Sequence, residues 1–171
     1  CGNYRPITLL PTIGKLFTAI LATRLERFVP LHDHQSAFRK RRGTMDPLFV
    51  FSATILERKA RGLRTHAFFL DLRKAYDMVW HDGLFYKLHN KGVKAKTWRL
   101  ICDMYSKGES AASLDGHVSS PLRLLQGVAQ GDPMSCVLFN VMIDDLIDTL
   151  EREHSADGVT LVPDATNLVA Q

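Results

Sequence analysis

The sequence predicts an α/β (α+β) domain, because helical and strand-like patterns alternate along its 171 residues without repeats or low-complexity tracts. Hydrophobic residues make up 46% of the chain and charged residues 23%, a normal globular composition with enough apolar side chains for a core. The sequence contains neither an 18-residue apolar run nor a signal-peptide pattern, so we expect no membrane partner. Three scattered cysteines fit no disulfide framework and favour an intracellular, reducing compartment.

The helices are predicted from apolar side chains at helical spacing and from residues that start or stop a helix. Asp46 followed by Pro47 is a start signal, whereas Pro30, Gly62 and Gly92 are stop signals. The predicted helices cover residues 12–29, 46–61, 82–91, 98–105 and about 135–153.

The strands are predicted from short apolar runs and turn residues. HAFFLDL, residues 66–72, is short, aromatic and apolar, as expected of a buried strand. Asp115 and Gly116 predict a hairpin turn between SAASL and HVSSPLRLL. VTLVP and NLVA predict a last hairpin around a tight turn at residues 164–166.

Charge is divided unevenly along the chain. Residues 1–100 contain 19 Lys and Arg against 7 Asp and Glu, whereas residues 101–171 contain 3 against 11. The basic part would suit a polyanion and the acidic part multivalent cations; the alternative is that helix surfaces simply differ in charge.

Two carboxylates stand at predicted strand ends. Asp71 ends the run HAFFLDL, and Asp164 lies in the turn of the last predicted hairpin. If the two strands are neighbours, these carboxylates can hold a pair of Mg²⁺ ions, which would support polymerase or nuclease chemistry. The alternative is that each Asp is a turn former or a helix cap.

Four longer motifs occur together in order. They are NYRPITLL (residues 3–10), QSAFRKRRGT (35–44), FFLDLRKAYDMVWH (68–81) and QGVAQGDPMSCVLFNVMIDDL (126–146). In order and spacing they resemble the reverse transcriptases of non-LTR, LINE-like retrotransposons. An unrelated nucleic-acid-binding α/β protein would have to match all four by accident.

The resemblance implies an architecture. It is part of the fingers, about residues 1–65, and most of the palm, about residues 66–171, of a right-handed polymerase. The family's palm is ferredoxin-like, with an antiparallel sheet and packed helices. The thumb and the other domains of a parent polyprotein are expected to be missing from this chain.

The resemblance also implies roles at the catalytic centre. Asp71 matches the metal-binding aspartate of palm motif A, and Asp164 matches the first aspartate of motif C. Tyr76 resembles the steric gate that excludes a ribonucleotide 2′ hydroxyl, although a core aromatic is the alternative for this position. Gln130 and Gly131, in motif B, would face the nucleotide or the template.

Basic residues complete the implied site. Arg39 matches the position that meets the incoming triphosphate, and the planar fork of arginine suits phosphate. Lys40, Arg41 and Arg42 would add attraction to the nucleic-acid backbone, and Arg5 would touch template phosphates.

The sequence departs from the family at several positions. Ala165 replaces the second aspartate of motif C, and Pro163 removes a backbone donor next to it. In motif B, Ala129 replaces a basic residue and Asp132 a small one, which should weaken triphosphate binding.

The implied function is RNA-directed DNA polymerisation with impaired activity. Its partners would be an RNA template, a DNA primer and deoxynucleoside triphosphates, and its cofactor two Mg²⁺ ions, with Mn²⁺ as a substitute and the second ion in doubt. The alternative is an inactive, decayed or domesticated module that binds RNA or a protein. The implied location is intracellular, in the nucleus or the cytoplasm.

Overall fold

The structure, a computed structural model, describes residues 7–154, 159–160 and 169–170. The helices are α1 (Thr12–Phe28), α2 (Met45–Ala60), α3 (His81–Asn90), α4 (Ala95–Ser106) and α5 (Pro133–His154). The strands are β1 (Glu109–Ser110), β2 (Ser113–Leu114), β3 (His117–Val118), β4 (Leu122–Arg123), β5 (Val159–Thr160) and β6 (Val169–Ala170). The predicted α+β class is confirmed, and each predicted helix is present.

The chain folds as two compact units. Unit 1 comprises Cys1–Pro30 and Arg73–Met142, and unit 2 comprises Leu31–Leu72 and Ile143–Gln171. Helix α5 therefore begins in unit 1 and ends in unit 2. The division into fingers and palm near residue 65 stays a prediction.

The hydrophobic core of the described residues lies in unit 1. Its most completely buried apolar side chains come from α1, α3, α4 and α5: Leu25, Leu84, Leu88, Ile101, Met134, Leu138 and Val141. The inward side of α1 is narrower than its apolar pattern suggests, because Leu21 and Leu25 are buried whereas Ile13 is 83% exposed. In the described part of unit 2, the buried side chains are polar: Gln35, Thr54 and Asp144.

The predicted Asp-Gly hairpin is confirmed. Strands β2 and β3 pair antiparallel, with Ser113 opposite Val118. Asp115 and Gly116 have φ angles of 48° and 81°. Positive φ at both central residues is the type I′ geometry, which matches the twist of the flanking strands. Strands β1 and β4 extend the hairpin away from the turn.

The prediction of a buried strand over residues 66–72 is wrong. The segment is irregular and exposed, with Phe68 88% and Phe69 78% accessible. A strand needs a neighbouring backbone for its hydrogen bonds, and among the described residues the segment is in none of the three strand pairs. Phe69 instead packs edge-on against Phe51 of α2, with the ring centroids 5.6 Å apart.

The last predicted hairpin is supported at its ends. Strands β5 and β6 pair antiparallel, with Val159 opposite Ala170. The predicted turn at residues 164–166, including Asp164, lies outside the described residues. Within the described part of the chain, no helix combines the length and apolar character needed to cross a bilayer.

Candidate active site

Tyr76 lies in a turn of unit 1 and contacts the first part of α5. Its ring stacks on Phe139 with a centroid distance of 5.0 Å and an interplanar angle of 13°. Its hydroxyl donates a hydrogen bond to Cys136 Sγ at 3.6 Å. Burial raises the pKa of the Tyr76 hydroxyl, and Cys136 raises it further, so the phenol is neutral. The gate candidate is thus a half-buried ring held by two side chains of one helix.

The loop that precedes α5 lies directly against the Tyr76 turn. The amide of Val128 donates to the carbonyl of Tyr76, and that of Gly127 donates to Val79, both at 2.8 Å. Gly127 has a φ of +90°, and a Cβ atom there would lie 3.0 Å from the carbonyl oxygen of Asp77. Only glycine combines this φ with so close a neighbour. Backbone pairing therefore joins the two segments that carry motifs A and B.

A second glycine joins the same loop to the start of the chain. The amide of Thr8 donates to the carbonyl of Gln130 at 2.8 Å. Gly131 has a φ of +114°, and a Cβ atom there would lie 2.9 Å from the carbonyl oxygen of Thr8. The predicted nucleotide-facing pair Gln130 and Gly131 is thereby fixed by backbone contacts. Arg5, three residues before Thr8, lies outside the described residues.

Asp132 has a structural role at the start of α5, where Asp132 and Pro133 form the same Asp-Pro pair as residues 46 and 47. Its side chain is buried and accepts a hydrogen bond from the backbone amide of Met134 at 3.1 Å. The carboxylate therefore caps the N-terminus of α5, where the helix dipole favours a negative charge. Burial raises the pKa of the nearby Tyr105 hydroxyl, and the charge of Asp132 adds to this effect.

Arg39, in unit 2, is held by the backbone of its own loop. Its Nη1 atom donates to the carbonyl oxygens of His32 at 2.7 Å and Gln35 at 3.0 Å. These bonds use both hydrogens of Nη1. The hydrogens on Nε and Nη2 make no hydrogen bond to the described residues. That edge of the guanidinium is the one that can present two parallel donors to a phosphate.

The other basic residues of this segment differ in their surroundings. Arg42 pairs with Asp33 at 3.1 Å and also donates to the carbonyl of Asp33. Lys40 and Arg41 are exposed. The segment therefore contains one anchored arginine, one ion-paired arginine and two cations at the surface.

Asp71 presents an accessible carboxylate in unit 2. The residue is exposed, and it makes no hydrogen bond or ion pair with the described residues. Carboxylate oxygens are ligands that Mg²⁺ prefers, so the donor type fits the predicted cofactor. In the described part of the chain, no three His, Cys, Asp or Glu side chains are grouped as a metal site. Its predicted partner Asp164 lies outside that part, so the pairing stays a prediction.

Two groups of contacts around the candidate site residues were not predicted from the sequence. One is the contact of Cys136 and Phe139 with Tyr76. The other joins His32 to acidic residues of α5, with His32 Nε2 lying 2.6 Å from Glu151 Oε2. The periodic acidic positions Asp144, Asp148 and Glu151 on one helix are a sequence signal for the second group.

The architecture and motifs agree with a family match along almost the whole chain. A model of the family described as reverse transcriptase (RNA-dependent DNA polymerase) matches residues 1–164. The chain therefore belongs to the reverse transcriptase family.

Its relatives include polymerases of non-LTR retrotransposons. The chain is 31% identical over 158 residues to the retrovirus-related Pol polyprotein from type-1 retrotransposable element R2 of Popillia japonica, covering 92% of this chain and 22% of the relative. It is 30% identical to the probable RNA-directed DNA polymerase from transposon BS of Drosophila melanogaster, covering 84% and 16%. It is 28% identical to the RNA-directed DNA polymerase from mobile element jockey of Drosophila funebris, covering 94% and 18%. The resemblance to non-LTR elements is confirmed, and the chain spans about a fifth of the length of these relatives.

Proposed function

We propose that this chain is a domain for RNA-directed DNA synthesis that adds deoxynucleotides to a DNA primer on an RNA template. The observation that carries the proposal is the backbone pairing of the Tyr76 turn with the Gly127 loop. In the family these segments are motifs A and B, whose residues flank the incoming nucleotide. Their pairing supports the view that the polymerase arrangement is retained in unit 1.

The chemistry is nucleotidyl transfer. The primer 3′ oxygen forms a bond to the α-phosphorus of the nucleotide. The bond from that phosphorus to the oxygen that bridges the α and β phosphates breaks, and pyrophosphate leaves with the electron pair of this bond. Arg39 would bind the triphosphate through its Nε and Nη2 donors. Asp71 and Asp164 would hold Mg²⁺, which when bound activates the 3′ hydroxyl and neutralises charge on the leaving group. The hydroxyl proton passes to solvent.

Tyr76 would select the sugar. Its ring is fixed by stacking on Phe139 and by the hydrogen bond to Cys136, so a 2′ hydroxyl would meet a rigid obstacle rather than a mobile side chain. The hydroxyl group of Tyr76 points to Cys136 and is not itself needed to block the sugar.

We also propose that the activity is reduced. Ala165 supplies no oxygen ligand where the family has a second aspartate, so the second ion would be held weakly. Mn²⁺ would partly compensate. Asp132 would lower triphosphate affinity less than its charge suggests, because the carboxylate is buried against the α5 N-terminus.

The gate assignment gives a direct test of this function. Tyr76→Ala should lower the preference for deoxynucleotides over ribonucleotides in primer extension by about tenfold to a hundredfold, because the steric obstacle is removed. Tyr76→Phe is the matched control, since it keeps the ring and removes only the bond to Cys136, and it should keep the preference. An unchanged preference in the alanine variant would show that Tyr76 is not the gate.

A further inference from the structure

A polar chain of contacts in unit 2 links the second half of α5 to Arg39. The backbone amide of His32 donates to Asp144 Oδ1 at 2.9 Å, and Asp144 is 1% exposed. The imidazole of His32 contacts Glu151, about two turns further along the helix, with Nε2 to Oε2 at 2.6 Å. The carbonyl of His32 accepts from Arg39 at 2.7 Å. His32 therefore contacts α5 through both its backbone and its ring, and it contacts Arg39 through its carbonyl.

The hydrogen bonds of the imidazole define its tautomer. The backbone amide of His34 lies 3.2 Å from His32 Nδ1. Since a backbone N–H can only donate, Nδ1 must be the unprotonated nitrogen. The proton is then on Nε2, and this N–H donates a hydrogen bond to the Glu151 carboxylate. Both ring nitrogens are satisfied, so the ring has one preferred orientation. Glu151 provides the hydrogen bond to Nε2 at 2.6 Å, whereas Asp148 Oδ1 lies 4.0 Å from the same nitrogen.

The anchoring of His32 determines the orientation of the Arg39 guanidinium, and so the direction in which its Nε and Nη2 atoms point. Arg39 Nη1 donates hydrogen bonds to the carbonyl oxygens of His32 and Gln35. The backbone amide of Gln35 in turn donates to the carbonyl oxygen of His32 at 3.1 Å. The turn is thus closed on itself and fixed to α5 through His32. If His32 moves, one of the two acceptors that orient the guanidinium moves with it.

We propose that His32 and Glu151 are positioning residues for nucleotide binding, which hold the Arg39 guanidinium ready for a triphosphate. The inference rests on the proposed role of Arg39. Glu151 acts only through His32 and Arg39, which makes the inference separable from a direct charge effect. A carboxylate acting directly on a triphosphate would repel it, so its removal would tighten binding; removal of a positioning carboxylate weakens binding.

The test uses Glu151→Ala with Glu153→Ala as its matched control. Both substitutions remove one carboxylate from the last turns of α5, and Glu153 pairs with the neighbouring Arg152 rather than with His32. Binding of a fluorescent deoxynucleoside triphosphate to the full chain is followed by anisotropy. Glu151→Ala should raise the Kd about threefold to tenfold, whereas Glu153→Ala should leave it unchanged or lower it. Glu151→Gln keeps an acceptor for the imidazole and should restore most of the affinity.

Arg39→Ala decides whether Glu151 works through Arg39. In that background, Glu151→Ala should cause no further loss of affinity, because the group that it positions is gone. An equal loss in both backgrounds would overturn the proposal.

Hydrogen exchange separates the inference from the proposed function. Glu151→Ala should speed exchange of the His32 and Gln35 amides, and Glu153→Ala should not. If exchange is unchanged by Glu151→Ala, Glu151 does not contribute to the anchor, and its positioning role is refuted. A different result would be faster exchange in Glu151→Ala with no change in nucleotide binding in either Arg39→Ala or Glu151→Ala. The anchor would then exist, but Arg39 would not bind triphosphate. Both the positioning role and the proposed role of Arg39 would be overturned.

Discussion

Gly127→Ala measures how closely the loop before α5 approaches the Tyr76 turn. Gly127 and Gly92 have almost the same φ, +90° and +91°, but a Cβ atom would meet the Asp77 backbone at 3.0 Å in the first case and nothing within 4 Å in the second. Alanine at either position should cost about 1–2 kcal/mol for the left-handed backbone. The close contact at Gly127 adds about 1–3 kcal/mol, because backbone atoms must shift.

The two variants are compared by urea unfolding, followed by circular dichroism at 222 nm. Gly127→Ala should reduce the free energy of unfolding by about 2–5 kcal/mol and Gly92→Ala by about 1–2 kcal/mol. For a chain of this size, each kcal/mol corresponds to a Tm decrease of about 2–4 °C. Equal losses in the two variants would refute the close approach and with it the backbone pairing of the two segments.

Two further predictions concern charge. Asp132→Ala should lower the free energy of unfolding by about 1 kcal/mol, since α5 loses its cap. The same variant should bind triphosphate slightly more tightly in the anisotropy assay. Unchanged stability would contradict the capping role. Replacing exposed Lys40 and Arg41 with alanine should weaken RNA binding. The slope of the logarithm of the RNA-binding constant against the logarithm of the salt concentration should become shallower by about 1 for each phosphate that is no longer neutralised. An unchanged slope would show that neither side chain binds a phosphate.

The helices could be predicted because their signals are local. Asp46 and Pro47 lie at the start of α2, and Gly62 and Gly92, both at positive φ, follow the ends of α2 and α3. The Asp115-Gly116 turn was predictable for the same reason, since the two residues themselves favour the conformation that the turn requires.

The failures arise where a partner distant in sequence decides the outcome. The run at residues 66–72 has the composition of a buried strand, but composition cannot supply the neighbouring strand that would pair with it. Arg39 donates to the carbonyl of His32, and the ring of His32 contacts Glu151, which is 119 residues beyond His32. One miss is of another kind, because the capping role of Asp132 has a local signal: Asp132 precedes Pro133 at the start of α5, as Asp46 precedes Pro47 at the start of α2.

Primer extension on an RNA template tests the central claim most directly. The chain is compared with Asp71→Asn and Ala165→Asp variants, in Mg²⁺ and in Mn²⁺. We expect weak extension by the chain, greater in Mn²⁺, loss of extension in Asp71→Asn, and a marked increase in Ala165→Asp because the second metal gains its ligand. Two results would contradict the assignment of a reverse transcriptase site centred on Asp71. One is primer extension by the Asp71→Asn variant, and the other is a lack of extension by both the chain and the Ala165→Asp variant.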